Sequence, residues 1–308
     1  MREAEAAVYA WAELHSGLVS RRRAIELGMT PGQVKARLSA RVWLPLVRGL
    51  YLVDPARYES LSFEVKARAA LLAHPGAALA GTSAARWWGV EGLRTDDDEI
   101  ELVLPRPLHR PVRQGLLHIR VRQWQSTQSQ WEVVRGVPVT GVARTLADAC
   151  LSVSRPEALS LLDSALHKGL ILPTGLPEVE QLAQGRRGCV QLRALLGLAD
   201  GRAESPIESR VRLACVDGNV PPDHLQLAVR DDHGVLIAIG DLGWRRPGGG
   251  LLLGEADGAV HDSARSVRWD RHRSNEMTIL GIDTVRFTWA DALRPPYVAS
   301  TVRRALSA

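Results

Sequence analysis

Apolar positions recur at helical spacing from the start of the chain to about Leu14, then resume in two short amphipathic segments. The first, SRRRAIELG, opens at Ser20; the second follows Thr30-Pro31, with Thr as N-cap and Pro at the first helical position. Two short helices around Gly28-Met29 predict a helix-turn-helix. The stretch VWLPLVRGLYLV, β-branched and aromatic residues broken at Arg48-Gly49, predicts a two-stranded wing behind it. On the second short helix Val34 and Leu38 are expected to pack inward, leaving Gln33, Lys35, Arg37 and Arg41 outward. With Arg21, Arg22, Arg23 and the wing residue Arg48 they form a candidate DNA-binding set, being types that reach phosphates and base edges. The same pattern also fits a solvated helix face or a protein-interaction module.

Further along, the period changes repeatedly. A helix is predicted near 61–73, strands at EIELVLP and LLHIRVRQW, and one helix from about Ala143 to Gly169. The pair Trp87-Trp88 reads as core or interface filling. The Pro- and Gly-containing stretch LPTGLPEVEQLAQGRRGCV marks a linker or helical bridge. From Ser205-Pro206 a helix runs to about Asp217. Strands QLAVR and VLIAIGDL flank the turn DDHG, LLLGEA follows RRPGGG, a helix covers roughly 263–280, and TVRFTW and YVASTVRRAL close the chain as strand and helix. The expected fold is α/β in the multidomain α+β sense. It comprises a winged helix over 1–58, a mixed α/β region over 59–175, a bridge over 176–202 and an α-β-β-β-α-β-α unit over 203–308.

Composition narrows the function classes. The 308 residues are 45% hydrophobic and 24% charged, an ordinary globular balance. No apolar run reaches the roughly 18–20 residues that a membrane span needs, and the acidic start lacks the order of a secretion signal, so a cytoplasmic protein without membrane contact is expected. Cys150, Cys189 and Cys215 are too widely spaced for a zinc knuckle or CxxC motif. From residue 201 onward 14 basic residues face 14 acidic ones, so the whole +5 excess lies in the first two-thirds. That excess is compatible with nucleic acid without establishing it.

The acids of the last third carry the candidate chemistry. Asp241 ends the apolar run VLIAIG and Glu255 follows LLLG, places where a charge needs a partner. A strand period of two puts Glu255 and Asp257 on one face, and Asp241 meets them if its strand lies alongside. Carboxylates so close repel one another unless a cation sits among them, and Mg²⁺ or Mn²⁺ takes carboxylate oxygens together with water and phosphate. Asp241, Glu255 and Asp257 are therefore the candidate metal ligands. Two readings compete at three positions. Glu208 completes an S-x-x-E capping box with Ser205 yet can reach the site; Asp257-Gly258 is a common turn pair; His261 is either a proton-transfer group or a surface histidine.

The segment SRRRAIELGMTPGQVKARLSARVWLPLVRGLYLV resembles the winged-helix N-terminus of AbiEi-type, type IV antitoxin proteins, and AGTSAARWWGV with GVPVTGVARTLADAC is similar to their actinobacterial middle region. ESPIESRVR, GDLGW, GEADGAVH, a basic helix and GIDTVRF resemble, in that order, the Vsr-like endonuclease domains of the PD-(D/E)xK superfamily. That resemblance implies a metal-dependent endonuclease or nickase of DNA. Glu208, Asp241, Glu255, Asp257 and His261 fall on the family's acidic and histidine positions, and Arg265 and Arg268 on the next helix balance phosphate charge. The motif's lysine is replaced by Asp257, and no lysine follows Lys168. An antitoxin-like, non-catalytic autorepressor with an inert nuclease fold is the alternative, and its partner would be a protein encoded by a neighbouring gene. Double-strand cleavage would call for a homodimer.

Overall fold

The computed structural model describes residues 2–94, 99–105, 116–122, 131–231, 233–257, 277 and 279–307. Its chain gathers into two compact units, Met1–Gly89 with Arg94–Thr145, and Val90–Leu93 with Leu146–Ala308. Several sheets and many helices make it a multidomain α+β fold, in agreement with the expected class.

The first unit begins with α1 (Arg2–Glu13), β1 (Leu18–Ser20), α2 (Arg21–Glu26), α3 (Pro31–Ser39), β2 (Leu44–Val47) and β3 (Leu50–Leu52). Local chemistry sets these boundaries. Ser20 Oγ accepts from Arg23 N at 3.0 Å, and Thr30 and Gln33 cap one another reciprocally with Pro31 at the helix start. Gly49, at φ +79°, turns β2 into β3, as a hairpin tip requires of a residue without Cβ. The three strands form an antiparallel sheet ordered β1-β3-β2, and Val8, Val19, Ala24, Val34, Trp43 and Tyr51 fill the core beneath. Leu38 packs against that core, as the helical spacing predicts.

The same unit continues through α4 (Phe63–Ala73), β4 (Ala78–Leu79), α5 (Gly81–Trp88), β5 (Glu99–Val103), β6 (His118–Arg122), β7 (Trp131–Val134) and β8 (Val137–Thr140). Its five strands are ordered β6-β5-β4-β8-β7. Trp87 is buried, with its indole donating to Val134 O, and Trp88 donates to Thr140 O, so the pair belongs to the core and its polar edges are satisfied.

The single helix expected from Ala143 to Gly169 is two helices, α6 (Val142–Cys150) and α7 (Arg155–His167). The apolar period runs through the break, but Ser154 and Pro156 start a new helix, and Glu157 Oε2 accepts from Ser154 N at 3.0 Å. The expected 59–175 region is accordingly divided: α7 packs on a helix of the second unit and belongs there. The segment read as a bridge supplies α8 (Leu176–Ala183) and α9 (Cys189–Leu196) to that unit.

The rest of the second unit is α10 (Pro206–Asp217), β9 (His224–Arg230), β10 (Leu236–Arg245), β11 (Leu251–Asp257), β12 (Asp283–Thr288), α11 (Trp289–Ala292) and α12 (Pro295–Ser307). The strands are ordered β12-β11-β10-β9, antiparallel except for the parallel pair β11–β12. In the described part of the DDHG segment Asp231 Oδ1 accepts from His233 N and Val235 N. The helix expected over 263–280 lies almost wholly outside the described residues. One sheet face carries Leu242, Trp244, Leu252 and Phe287 against α10 and α12; the other carries Val229, Ala238, Leu253 and Met277.

Candidate functional site

The edge strand β9 and its neighbour β10 both change face at one level of the C-terminal sheet. On β9, Leu225 packs with the α10 side while Leu227 packs with the opposite cluster, although a strict period of two would put them together. On β10, Leu242 faces α10, whereas a side chain at Gly240 would meet Leu253 on the other side. The crossovers fall at Gln226 and Asp241, between the paired positions Leu225↔Leu242 and Leu227↔Gly240. At the same level the β10–β11 ladder ends, its last pair being Leu242↔Gly254. One step further Ala256 N donates to Asp241 Oδ2 at 2.7 Å, so a side-chain carboxylate takes the place of a ladder carbonyl.

Glu208 approaches from the first turn of α10 and is buried. Its Oε1 accepts from Ser205 Oγ at 2.6 Å, and its Oε2 accepts from Glu204 N at 2.9 Å and from Gln226 Nε2 at 3.0 Å. The capping relation read from S-x-x-E therefore exists, with the return bond made to the residue before the cap. Burial pushes the Asp241 carboxyl up to about 6, with repulsion from Glu208, Asp257 and Glu204 adding to it and the Ala256 bond opposing it. Asp241, Glu208 and Asp257 thus share one electrostatic environment, and Glu204 joins them.

Glu255 sits differently. It is buried on β11, and its Oε2 is ion-paired with Arg286 Nε at 2.9 Å, its register partner on β12. Asp257 is exposed at the strand end. Among the described residues no three His, Cys, Asp or Glu side chains form a group able to hold a metal. Asp241, Glu255 and Asp257, the three expected ligands, are not gathered into one such group: Asp241 and Asp257 repel one another, whereas Glu255 is turned to an arginine. His261, Arg265 and Arg268 lie outside the described residues.

The winged helix divides the basic set in two. Arg22 and Arg23 both bind Glu26, at 2.7 and 3.2 Å, and Arg23 also lies 3.9 Å over the Trp11 ring. Arg37 pairs with Glu5 at 2.5 Å, and Gln33 Oε1 is occupied by Thr30 N. All four belong to the expected DNA-binding set, and all four have intramolecular partners: the arginines have glutamates, and the Gln33 carbonyl has a backbone donor. Arg21, Lys35, Arg41 and the wing-tip Arg48 are exposed and form no ion pair among the described residues.

Comparison with known proteins places the chain. Over 200 residues, 65% of its length, it is 30% identical to the uncharacterised protein Rv2248 of Mycobacterium tuberculosis (strain H37Rv), and the match covers 70% of that protein. It belongs to the Rv2248 family. MT2308 of strain CDC 1551 / Oshkosh, also uncharacterised, matches to the same extent. No family model matches the chain. The crystal structure of the RV2827C protein from M. tuberculosis aligns with a TM-score of 0.44 and 18% identity, over 75% of this chain and 89% of that one. Among the described residues of this Rv2248-family chain, no helix is long and apolar enough to cross a membrane.

Three residues at the site are absent from the expected set. Glu204 precedes the cap, and nothing in its local pattern distinguishes it from a solvated acid. Arg286 stands in GIDTVRF, but its pairing with Glu255 depends on the β11–β12 register. Gln226 lies within an ordinary-looking strand segment whose backbone reversal has no local signature.

Proposed function

We propose that the C-terminal unit hydrolyses phosphodiester bonds in DNA with the help of a divalent cation, and that the winged helix supplies DNA affinity. The observation that carries this reading is the partly buried Asp241 carboxylate standing where the β10–β11 ladder ends, held by Ala256 N and driven up to about 6 by burial and by the charges of Glu208, Asp257 and Glu204. Mg²⁺ or Mn²⁺ would be held by Asp241 and Asp257, and it would supply polarisation of the phosphate and a lowered pKa for an attacking water. Ala256 N fixes the Asp241 carboxylate, leaving its other oxygen for the cation. Glu208 is held in one orientation by three donors and bears on the same position. Arg286, 51% exposed in its side chain, brings a fixed positive charge to a segment without lysine. It neutralises phosphate but stays protonated, so it is no general base. The chain is read as a cytoplasmic protein whose partner is DNA, with a homodimer where both strands are cut.

A second reading is supported by the Glu255–Arg286 pair and by the lack of a three-ligand group among the described residues. In it the unit is inert and the chain is an autorepressor, regulating itself and a neighbouring gene's product. The deciding experiment incubates labelled duplex, mismatched, branched and single-stranded DNA with Mg²⁺, Mn²⁺ or EDTA, for wild type and Asp241→Ala. Metal-dependent cutting lost in Asp241→Ala supports the nuclease; no cutting by wild type with either metal on any substrate supports the repressor.

DNA binding has its own expected result. Lys35→Ala and Arg48→Ala should each weaken duplex binding about equally for unrelated sequences, and each should reduce the slope of log K against log salt by about 0.9. Arg37→Ala, which removes a residue already paired with Glu5, should change that slope little. Equal slopes for Arg48→Ala and wild type would remove the wing from the interface.

A further inference from the structure

Gln226 adopts φ +52° in the middle of β9, a left-handed conformation that side-chain-bearing residues rarely hold and that is exceptional inside a strand. Geometry alone does not ask for glutamine there. The face change at this level needs one residue in the left-handed region, and glycine would provide it without steric conflict. Instead the position carries a side chain that reaches Glu208 Oε2 at 3.0 Å. Local capping of α10 is already complete without it, because Ser205 Oγ and Glu204 N bind the same carboxylate. The Gln226 bond is the one that comes from another element. It ties the helix-borne Glu208 to the strand level at which Asp241 stands opposite.

We propose that Gln226 is a positioning residue: its backbone reversal aims a carboxamide at Glu208 and holds that carboxylate beside Asp241. This rests on the phosphodiesterase reading given above. Strain retained at one position, when a simpler residue satisfies the backbone, marks a side chain kept for what it holds. Glu208 carries two oxygens with three donors, so loss of Gln226 removes the donor that β9 supplies to Oε2 while the capping bonds from Ser205 and Glu204 persist. The carboxylate then samples orientations that do not serve the cation or the attacking water, and turnover falls while DNA affinity does not.

The test uses the full chain, a labelled duplex and Mg²⁺ or Mn²⁺, with Gln226→Gly, Gln226→Asn, Glu208→Ala and the double variant Gln226→Gly/Glu208→Ala. Glycine accepts the backbone freely, and asparagine tolerates it but is one methylene short of Glu208. Both single Gln226 variants are expected to fold, to bind duplex with wild-type affinity, and to lose at least 10-fold in kcat with KM unchanged. In the Glu208→Ala background Gln226→Gly should cause no further loss, because the group it positions is gone. Wild-type kcat in Gln226→Gly, or a loss that multiplies with that of Glu208→Ala, would overturn the inference. So would failure of both variants to fold, which assigns the residue to folding alone. A wild-type chain that cuts nothing overturns the phosphodiesterase reading itself and this inference with it, a result distinct from the others because it appears before any substitution.

Discussion

An Asp241→Asn chain is expected to be more stable than wild type near pH 8 and to lose at least about 100-fold in metal-dependent cleavage. The stability half follows from the raised carboxyl, at about 6 against an ordinary 3.8. Between those values the folded form holds a proton that the unfolded chain has released, so stability falls as pH rises through that window and stays low above it. The full shift corresponds to about 3 kcal/mol. Asp241 is only half-buried, and solvent screening reduces the expected gain to about 1–2 kcal/mol. Asparagine keeps an oxygen for Ala256 N, so the backbone bond is retained and only the charge disappears. Urea denaturation at pH 5 and pH 8 checks the sign: the advantage of the variant should be about half as large at the lower pH as at the higher. Mg²⁺ should raise wild-type stability and leave the variant nearly unchanged. A residue whose charge weakens the fold, with no oppositely charged partner among the described residues, is best explained by a cation. Equal stability of both chains at pH 8 would remove that argument.

Where local chemistry punctuates the chain, sequence and structure agree. Thr30-Pro31, Arg48-Gly49, the DDHG turn and Ser205-Pro206 each combine a cap or turn residue with a change of period, and the elements begin and end beside them. The antiparallel neighbours β9–β10 and β10–β11 follow from short connections, whereas β12 reaches its parallel place beside β11 only after a long one. Features that depend on distant partners are not legible in the same way. The break at Ser154 was hidden by an apolar period that continues across it, although S-R-P-E carries both a cap and a helix-starting proline. Which arginines remain available to DNA depends on Glu5 and Glu26 having the right reach from α1 and α2. Glu255 reads as a metal ligand from strand period alone, and only the register of β12 reveals Arg286 beside it. The face reversal at Gln226 and Asp241 belongs to two strands at once and has no counterpart in either segment's pattern.

The largest loss of stability is expected from Arg212→Met, at about 3–5 kcal/mol. Arg212 Nη2 donates to Asp163 Oδ2 at 2.5 Å, joining α10 to α7 with only 7% and 2% of the two side chains exposed. Asp163 Oδ1 accepts from Asp200 N at 2.8 Å, and Arg212 also donates to Leu198 O, so one pair organises two helices and the loop between α9 and α10. Burial pushes the Asp163 carboxyl up even with Arg212 beside it. Without the guanidinium the carboxylate is left in the interior with only the neutral donors Asp200 N and the Ser209 hydroxyl, and it must either stay charged at high cost or take up a proton. The variant should therefore recover part of its lost stability as pH falls, because a buried acid with a raised pKa destabilises most when the unfolded chain is fully ionised. Removing both partners, as Arg212→Met/Asp163→Leu, should cost clearly less than the two single losses added, since neither leaves a stranded charge. Arg212 is also one turn beyond Glu208 on α10, so this pair anchors the helix that carries Glu208 to the acid cluster. Slower cleavage in Arg212→Met at temperatures where it is still folded would place that anchoring in the function as well as the fold. Unchanged cleavage there would limit the pair to stability.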